Sequence, residues 1–212
     1  MTTGTLFIIS APSGAGKTSL VKQLIAEMDN LLVSVSNTTR KQRPGEIHAQ
    51  DYFFVSLDEF KAMLSNQAFL EHAQVFDNFY GTARQTVEAN LQAGKDIILE
   101  IDWQGAQQVK SVLGESVSIF ILPPSIEVLQ QRLQNRGQDS EEIILKRMKA
   151  AVTEISHYAE FDYLLINDDF NQALFELKSI VTARRLKTKR QQSKLDTLIQ
   201  ALLSSPQESH RA

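Results

Sequence analysis

The residues Ala11-Pro12-Ser13-Gly14-Ala15-Gly16-Lys17-Thr18 have the types and spacing to hold a chain of phosphates. Gly14 and Gly16 let the backbone curl without a Cβ clash, so that successive N–H groups point inward. An amphipathic run follows, Ser19 to Met28, with Leu20, Val21, Leu24, Ile25 and Met28 as its apolar stripe. A helix there sets its N-terminus behind the loop, where anions are favoured. Lys17 can reach the outer phosphates of a nucleotide, and the Thr18 hydroxyl can bind Mg²⁺. The general pattern has Gly where this chain has Ala11. Ala fits that position if φ stays negative, as expected at the end of a strand. The apolar run Leu6 to Ile9 supplies that strand. Strand, glycine loop and helix occur in the order the chemistry requires, which a chance Gly-Lys-Thr in a surface turn would not reproduce.

A second strand, Asp96 to Ile101, ends in carboxylates. Alternation puts Glu100 and Asp102 on one side and Ile101 on the other. Acids at a strand end facing a phosphate loop can support Mg²⁺; the competing reading is a solvated pair before a turn. Arg132 and Arg136 are four apart, on one helical face or at its end, and Arg147 follows. Planar guanidinium groups can clamp a phosphoryl group in transfer. A solvated basic face is the commoner meaning of such residues, and the glycine loop tips the balance. Arg40 and Arg43, in a polar loop, make a candidate second phosphate site with Tyr52 and Tyr80. Those residues alone do not separate it from a polar loop beside half-buried tyrosines. The run Arg184-Arg185 to Lys187, Lys189 and Arg190 reads as cations late in a helix, where they suit its negative end, and not as a nucleic-acid surface. His48, His72, His157 and His210 lack metal-ligand spacing.

The elements that must position these groups follow from periodicity and caps. Strands are expected at Leu6 to Ser10, Leu31 to Ser36, Asp51 to Val55, Phe69 to Phe76, Val117 to Leu122 and Phe161 to Ile166. Ser56 and Glu59 form a capping box before a helix from Leu57 to Asn66. Asp77 to Gly81 reads as a turn. Thr82 and Gln85 form a second capping box for a helix that Gly94 ends. Further helices run from Gln104 to Leu113, from Ile126 (capped by Ser125) to about Asn135, and from Glu141 to Ile155. Arg136 to Ser140 is a loop. Phe170 to Leu203 is helical with breaks, and the last several residues read as disordered. The alternation predicts an α/β fold with a parallel sheet flanked by helices. Residues from about 37 to 87 break that rhythm and suggest an inserted lobe; the helices from about 126 to 155 form a second mobile piece. Ligands bind at strand C-terminal ends in such sheets, so the glycine loop, Glu100–Asp102 and Asn167–Asp169 should converge.

With 212 residues, 42% hydrophobic and 22% charged, the chain can build one sizeable core with small lobes. A net charge of −3 gives no global reason to expect nucleic-acid or membrane binding. Without cysteine there are no disulfides, thiolate metal sites or cysteine nucleophiles. No signal peptide is visible, and no apolar stretch approaches the ~20 residues that span a bilayer. A cytoplasmic protein is the expectation.

The motifs APSGAGKT, SVSNTTRKQRPGE, DYFF, FLEHAQVFDNFYGT, EIDWQGAQQV, IFILPPS, RLQNRGQDSEE with KRM, and INDDF together resemble guanylate kinase of the bacterial type, in order, from about residue 4 to 190. The resemblance implies a P-loop nucleoside-monophosphate kinase in three parts. These are a core (about 1–36, 88–124 and 156–205), a GMP-binding lobe (about 37–87) and a helical lid (about 125–155). It implies the reaction ATP + GMP to ADP + GDP with Mg²⁺, dGMP as a further substrate, and a homo-oligomer left open. Ser36, Glu71, Thr82 and Asp102 fall where the family contacts guanine. Arg40, Arg43, Tyr52 and Tyr80 fall where it holds the GMP phosphate. Arg132, Arg136 and Arg147 match its lid-side arginines, and Asn167 lies near the adenine pocket. A carboxylate such as Glu71 can accept from guanine N1–H and its amino group, while a hydroxyl of Ser36 or Thr82 donates to O6. Adenine would leave those buried groups unpaired. Besides Ala11, two positions depart from the family: Glu100 stands where Asp is frequent, so Mg²⁺ would be held through water, and Thr82 stands where Ser is frequent. The alternatives are a non-catalytic guanylate-kinase-like interaction domain and a kinase of another small phosphate ester.

Overall fold

The structure, a computed structural model, describes residues 3–75, 77–135 and 141–204. Strand β1 (Leu6–Ser10) is buried along its whole length, as expected of a strand covered on both faces. The glycine loop leads into α1 (Lys17–Glu27), then β2 (Leu31–Val33), β3 (Asn37–Thr38), β4 (Phe53–Phe54), α2 (Leu57–Ser65), β5 (Phe69–Val75), β6 (Asn78–Ala83) and α3 (Arg84–Gln92). Next come β7 (Asp96–Glu100), α4 (Trp103–Val112), β8 (Ser116–Leu122), α5 (Ile126–Gln134) and α6 (Glu141–Ser156). After a short 3₁₀ turn at Tyr158–Glu160, β9 (Tyr163–Ile166), α7 (Phe170–Arg185) and α8 (Thr188–Leu203) complete the chain.

Five strands form a parallel sheet in the order β2-β7-β1-β8-β9. Alternation along β1 splits the core. Phe7 and Ile9 pack with Leu20 and Leu24 of α1 and Leu177 of α7, whereas Leu6 and Ile8 pack with Val87 of α3 and Val109 of α4. Four short strands form a second sheet in the order β4-β3-β6-β5, all of them within residues 37–83.

Several expected boundaries move, each for a visible reason. Helix α1 begins at Lys17, inside the loop, because Gly16 takes the left-handed N-cap position at φ 91°. Strand β2 stops at Val33, and the chain then crosses to the second sheet at Asn37. Asp77 to Gly81 is not a turn: Asn78 onward is β6, antiparallel to β5. Gly81 is there for close packing, since a Cβ would meet the Phe69 ring at 2.9 Å. The Thr82–Gln85 capping box does not form. Ala83 occupies the N-cap of α3 without a side-chain bond, and the Thr82 hydroxyl donates to Glu71 instead. The Ser56–Glu59 box does form, and Ser125 caps α5. Strand β9 starts at Tyr163 because Asp162 is spent on the Ser118 N–H and hydroxyl, each 2.8 Å away. Phe76, the residues 136–140 expected as a loop and the residues after 204 lie outside the described residues.

Candidate active site

The glycine loop leaves the C-terminal end of β1 and curls through two left-handed residues, Gly14 (φ 95°) and Gly16 (φ 91°). Both also stand against neighbours. A Cβ on Gly14 would meet the Leu129 methyl of α5 at 2.9 Å, and one on Gly16 would meet the Asn167 amide at 2.3 Å. Ala11 is not among the residues with positive φ, as its substitution for Gly requires. Helix α1 has no side-chain cap and no acid in its first turn, so its leading N–H groups are left for an anion. Lys17 and Thr18 open that helix. The Thr18 hydroxyl donates to Glu100 Oε2 at 3.2 Å, joining the end of β7 to the loop. Burial pushes the Lys17 ammonium down, against the charges of Glu100, Glu154 and Asp102.

Asn167, just beyond β9, is buried, and its side-chain amide donates to the Ala15 carbonyl at 2.7 Å. That bond braces the phosphate loop at the residue expected near the adenine pocket. Arg132 Nη2, from α5, donates to the Asn167 carbonyl at 3.1 Å, while Nη1 is buried with no partner among the described residues. A guanidinium with one N–H group tied back and another unmatched is set up to receive an anion. Arg147 lies on α6, two turns ahead of Glu154; Arg136 lies outside the described residues.

Glu154 was not singled out from sequence, because one acid on an amphipathic helix looks like any surface carboxylate. Its pKa is pushed up by burial first; Lys17 opposes this, Asp102 adds to it, and a hydrogen bond from the Ser13 backbone N–H opposes it.

Across the cleft, register pairs Glu71 with Thr82, and the Thr82 hydroxyl donates to Glu71 Oε1 at 2.5 Å. Both side chains are buried. Desolvation pushes the Glu71 carboxyl up; the Thr82 hydroxyl resists and the Asp102 charge adds to the rise. Gly105 lets α4 approach this carboxylate, since a Cβ would stand 3.1 Å from Glu71 Oε2. Asp102 is the N-cap of α4 and accepts from the Gly105 N–H at 2.9 Å through Oδ1. Its charge acts on Lys17 on one side and on Glu71 on the other. The stretch Glu100–Gly105 therefore meets the phosphate-loop helix at Thr18 and the Glu71–Thr82 pair at Gly105.

Ser36 stands directly before β3, its carbonyl accepting from Phe53 N–H at 2.9 Å. Arg40 forms a two-pronged ion pair with Glu46 (2.6 and 3.1 Å) and lies 5.4 Å from the Tyr52 ring centroid, which is 6.0 Å from that of Tyr80. Arg43 joins through its backbone N–H, which donates to Glu46 at 2.8 Å. The Arg40 hydrogen bonds, with that of Arg43, hold Glu46 below the usual carboxylate range. Glu46 is a loop organiser that its composition did not distinguish from a solvated acid.

Among the described residues no three His, Cys, Asp or Glu side chains gather as a metal cluster. Mg²⁺ fits what is present, because it keeps several waters and substrate oxygens and needs only one or two hard protein ligands. Thr18 and Glu100 offer such oxygens. No helix among the described residues is long and apolar enough to cross a membrane.

The family model described as Guanylate kinase matches residues 3–184. The chain is 59% identical over 203 residues to the guanylate kinase of Methylococcus capsulatus, covering 96% of this chain and all of the relative. It is 56% identical over 206 residues to the guanylate kinase of Escherichia coli K12, with the same coverage. The crystal structure of guanylate kinase from Anaplasma phagocytophilum superposes with a TM-score of 0.74 at 37% identity, covering 89% of this chain and 90% of that one.

Proposed function

The chain belongs to the guanylate kinase family, and we propose that it transfers the γ-phosphoryl group of ATP to GMP, giving ADP and GDP, with the residues described above in stated roles. The observation that carries these roles is the stretch Glu100–Gly105: Glu100 accepts from Thr18 beside the phosphate loop, and Gly105, whose N–H donates to Asp102, lies against the buried Glu71. A donor site and an acceptor site that share one wall are what direct transfer between two nucleotides requires.

On the acceptor side, the second sheet with its loops acts as the GMP lobe. Glu71 accepts from guanine N1–H and the 2-amino group, Ser36 donates to O6, and Asp102 closes the base site; Thr82, expected as an alternative donor to O6, has its one hydroxyl proton committed to Glu71. Arg40, Arg43, Tyr52 and Tyr80 hold the GMP phosphate, with Glu46 fixing the Arg40 guanidinium. On the donor side, the loop N–H groups from Ala11 to Thr18 and the Lys17 ammonium hold the ATP phosphates, and Asn167 keeps the loop in shape through Ala15. Helices α5 and α6 act as the lid: Arg132, with its unmatched Nη1, Arg136 and Arg147 close on the γ-phosphoryl group and exclude water. Thr18, and Glu100 through water, would hold Mg²⁺, which would supply charge neutralisation at the phosphate oxygens. A GMP phosphate oxygen attacks the γ-phosphorus in line, the bond to the ADP oxygen breaks, and no covalent enzyme intermediate forms. Positioning and charge stabilisation supply the rate.

ADP formation from Mg-ATP with GMP, AMP, CMP or UMP, each alone, tests this reading. Turnover with GMP alone is expected. Preference for another monophosphate would overturn the base-site roles around Glu71. A folded chain that binds GMP without turnover would favour an interaction domain.

A further inference from the structure

A cavity of about 760 Å³ opens at the end of the central sheet opposite the phosphate loop. Its floor is Thr5 and Leu6, where β1 begins; the five residues of β1 then span about 17 Å before the loop starts. One wall is apolar: Leu91, Val112 and Leu113. The other carries Arg184, Lys187, Lys189 and Arg190. The basic run noted in the sequence is thus not late in one helix. It spans the break between α7 and α8, and only Arg184 and Arg185 lie in a last turn.

The remaining cations lie at the positive end of a helix. Lys187 is the N-cap of α8 and Lys189 and Arg190 are in its first turn, with no acid there and no side-chain cap. Cations at a helix N-terminus oppose the macrodipole. Arg190 is compensated by Asp96 at 2.8 Å, and Arg184 lies 3.9 Å from the exposed Glu115. Lys187 and Lys189 have no ion pair among the described residues. This corner holds Arg184, Arg185, Lys187, Lys189 and Arg190 against Asp96 and Glu115, in a chain whose net charge is −3. Two lysines without an ion pair among the described residues, a helix N-terminus without a side-chain cap and an apolar wall meet around one cavity.

We propose that this cavity is a second binding site, separate from the nucleotide cleft, for a small organic phosphate with an apolar or aromatic body. The phosphate pairs with Lys187, Lys189 and the N-terminus of α8, and the body lies on Leu91, Val112 and Leu113. The site does not depend on the reaction proposed above.

The test is calorimetric titration of the purified chain with 1-naphthyl phosphate and, separately, inorganic phosphate. One naphthyl phosphate per chain is expected at the cavity, with inorganic phosphate weaker for want of the apolar contact. Lys187→Ser with Lys189→Ser should weaken naphthyl phosphate at least about tenfold, the worth of one charge-assisted bond. Val112→Ser should weaken naphthyl phosphate alone. Lys17→Ala and Arg40→Ala should leave cavity binding unchanged. GMP turnover of the double Lys variant should match the parent, and its melting temperature should not fall, because the removed cations oppose the helix dipole. The proposal fails if no binding is seen, if the double Lys variant binds equally well, or if binding is lost with Lys17 or Arg40, which would assign the probe to the nucleotide cleft. Guanylate kinase activity is read separately, so either idea can fail alone.

Discussion

Glu71 concentrates the chemistry of this site at the scale of one residue. A carboxylate that is 4% exposed, with the Thr82 hydroxyl and backbone as neutral partners and Asp102 nearby, is held away from water with no cation paired to it among the described residues. Its raised pKa means that the folded chain binds this proton more tightly than the unfolded chain. Its contribution to stability is therefore fullest below the ordinary carboxylate value and declines as pH rises through the raised one. Glu71→Gln removes that penalty, because the amide oxygen still accepts from Thr82. The variant should melt higher than the parent at pH 8 and gain less at pH 4. Its amide NH₂ also faces the donor edge of guanine, so the KM for GMP should rise by about 10²-fold, a lost charged hydrogen bond plus a repulsive contact. Melting curves at the two pH values and GMP saturation curves check both halves; an unchanged GMP profile would remove Glu71 from the base site. Lys17 belongs to the same scale. Lys17→Ala should leave a folded chain and cut turnover by about 10²–10³-fold, the usual cost of removing one donor to a developing charge. Near-parent turnover in the folded variant would end its assigned role.

The ends of the elements decide which loops these residues stand on, and there the sequence was legible only where local chemistry and tertiary packing agree. The run Leu6–Ser10, the Ser56 box and the Ser125 cap each satisfy their own backbone within a few residues, so pattern alone locates them. Thr82 looks like the start of a capping box, yet its hydroxyl goes to Glu71, eleven residues away, because a buried carboxylate needs a donor more than an exposed helix end does. Gly81 looks like a turn residue, yet it is needed flat beside Phe69. Such choices depend on a partner strand that spacing does not reveal. Asn167 is similar: the end of β9 can be read from its apolar run, but the bond to Ala15 cannot. That bond carries a prediction. Asn167→Ala leaves the buried Ala15 carbonyl unpaired at a cost of about 1–3 kcal/mol, and it frees the loop between two left-handed glycines. The KM for ATP should rise and the melting temperature fall, while the KM for GMP stays as it was. Separate ATP and GMP saturation curves distinguish this from a general loss of fold, and an equal rise in both constants would refute a brace specific to the loop.

Over the whole molecule, one buried carboxylate closes the chain on itself. Asp96, the first residue of β7, is fully buried. It accepts from Thr5 N–H at 2.7 Å, from Arg190 at 2.8 Å and from Arg185 at 2.7 Å. Arg190 also donates to the Thr5 hydroxyl at 2.9 Å, and Arg185 to the Asp29 carbonyl at 2.8 Å. The approach to β1, the start of β7 and the helices α7 and α8 are thereby fastened at the end of the sheet opposite the active site. In sequence, Asp96 is the polar flank of an apolar strand and its partners are part of a basic run; only the sheet order brings them together. Removing the acid strands two guanidinium groups beside a buried gap, so Asp96→Ala should cost about 3–5 kcal/mol. At roughly 2–4 °C per kcal/mol for a chain of this length, the melting temperature should fall by roughly 6–20 °C. The catalytic groups lie at the other end of the strands, so the variant should keep the parent's turnover and GMP KM when assayed at 25 °C, well below its transition. Thermal melting by circular dichroism and a steady-state assay on one preparation decide the matter. An unchanged melting temperature would mean that the network is not the clasp its geometry indicates. Lost turnover in a chain still fully folded at 25 °C would mean that the two ends of the sheet are coupled, with β1, which runs from Thr5 to the phosphate loop, as the direct path between them.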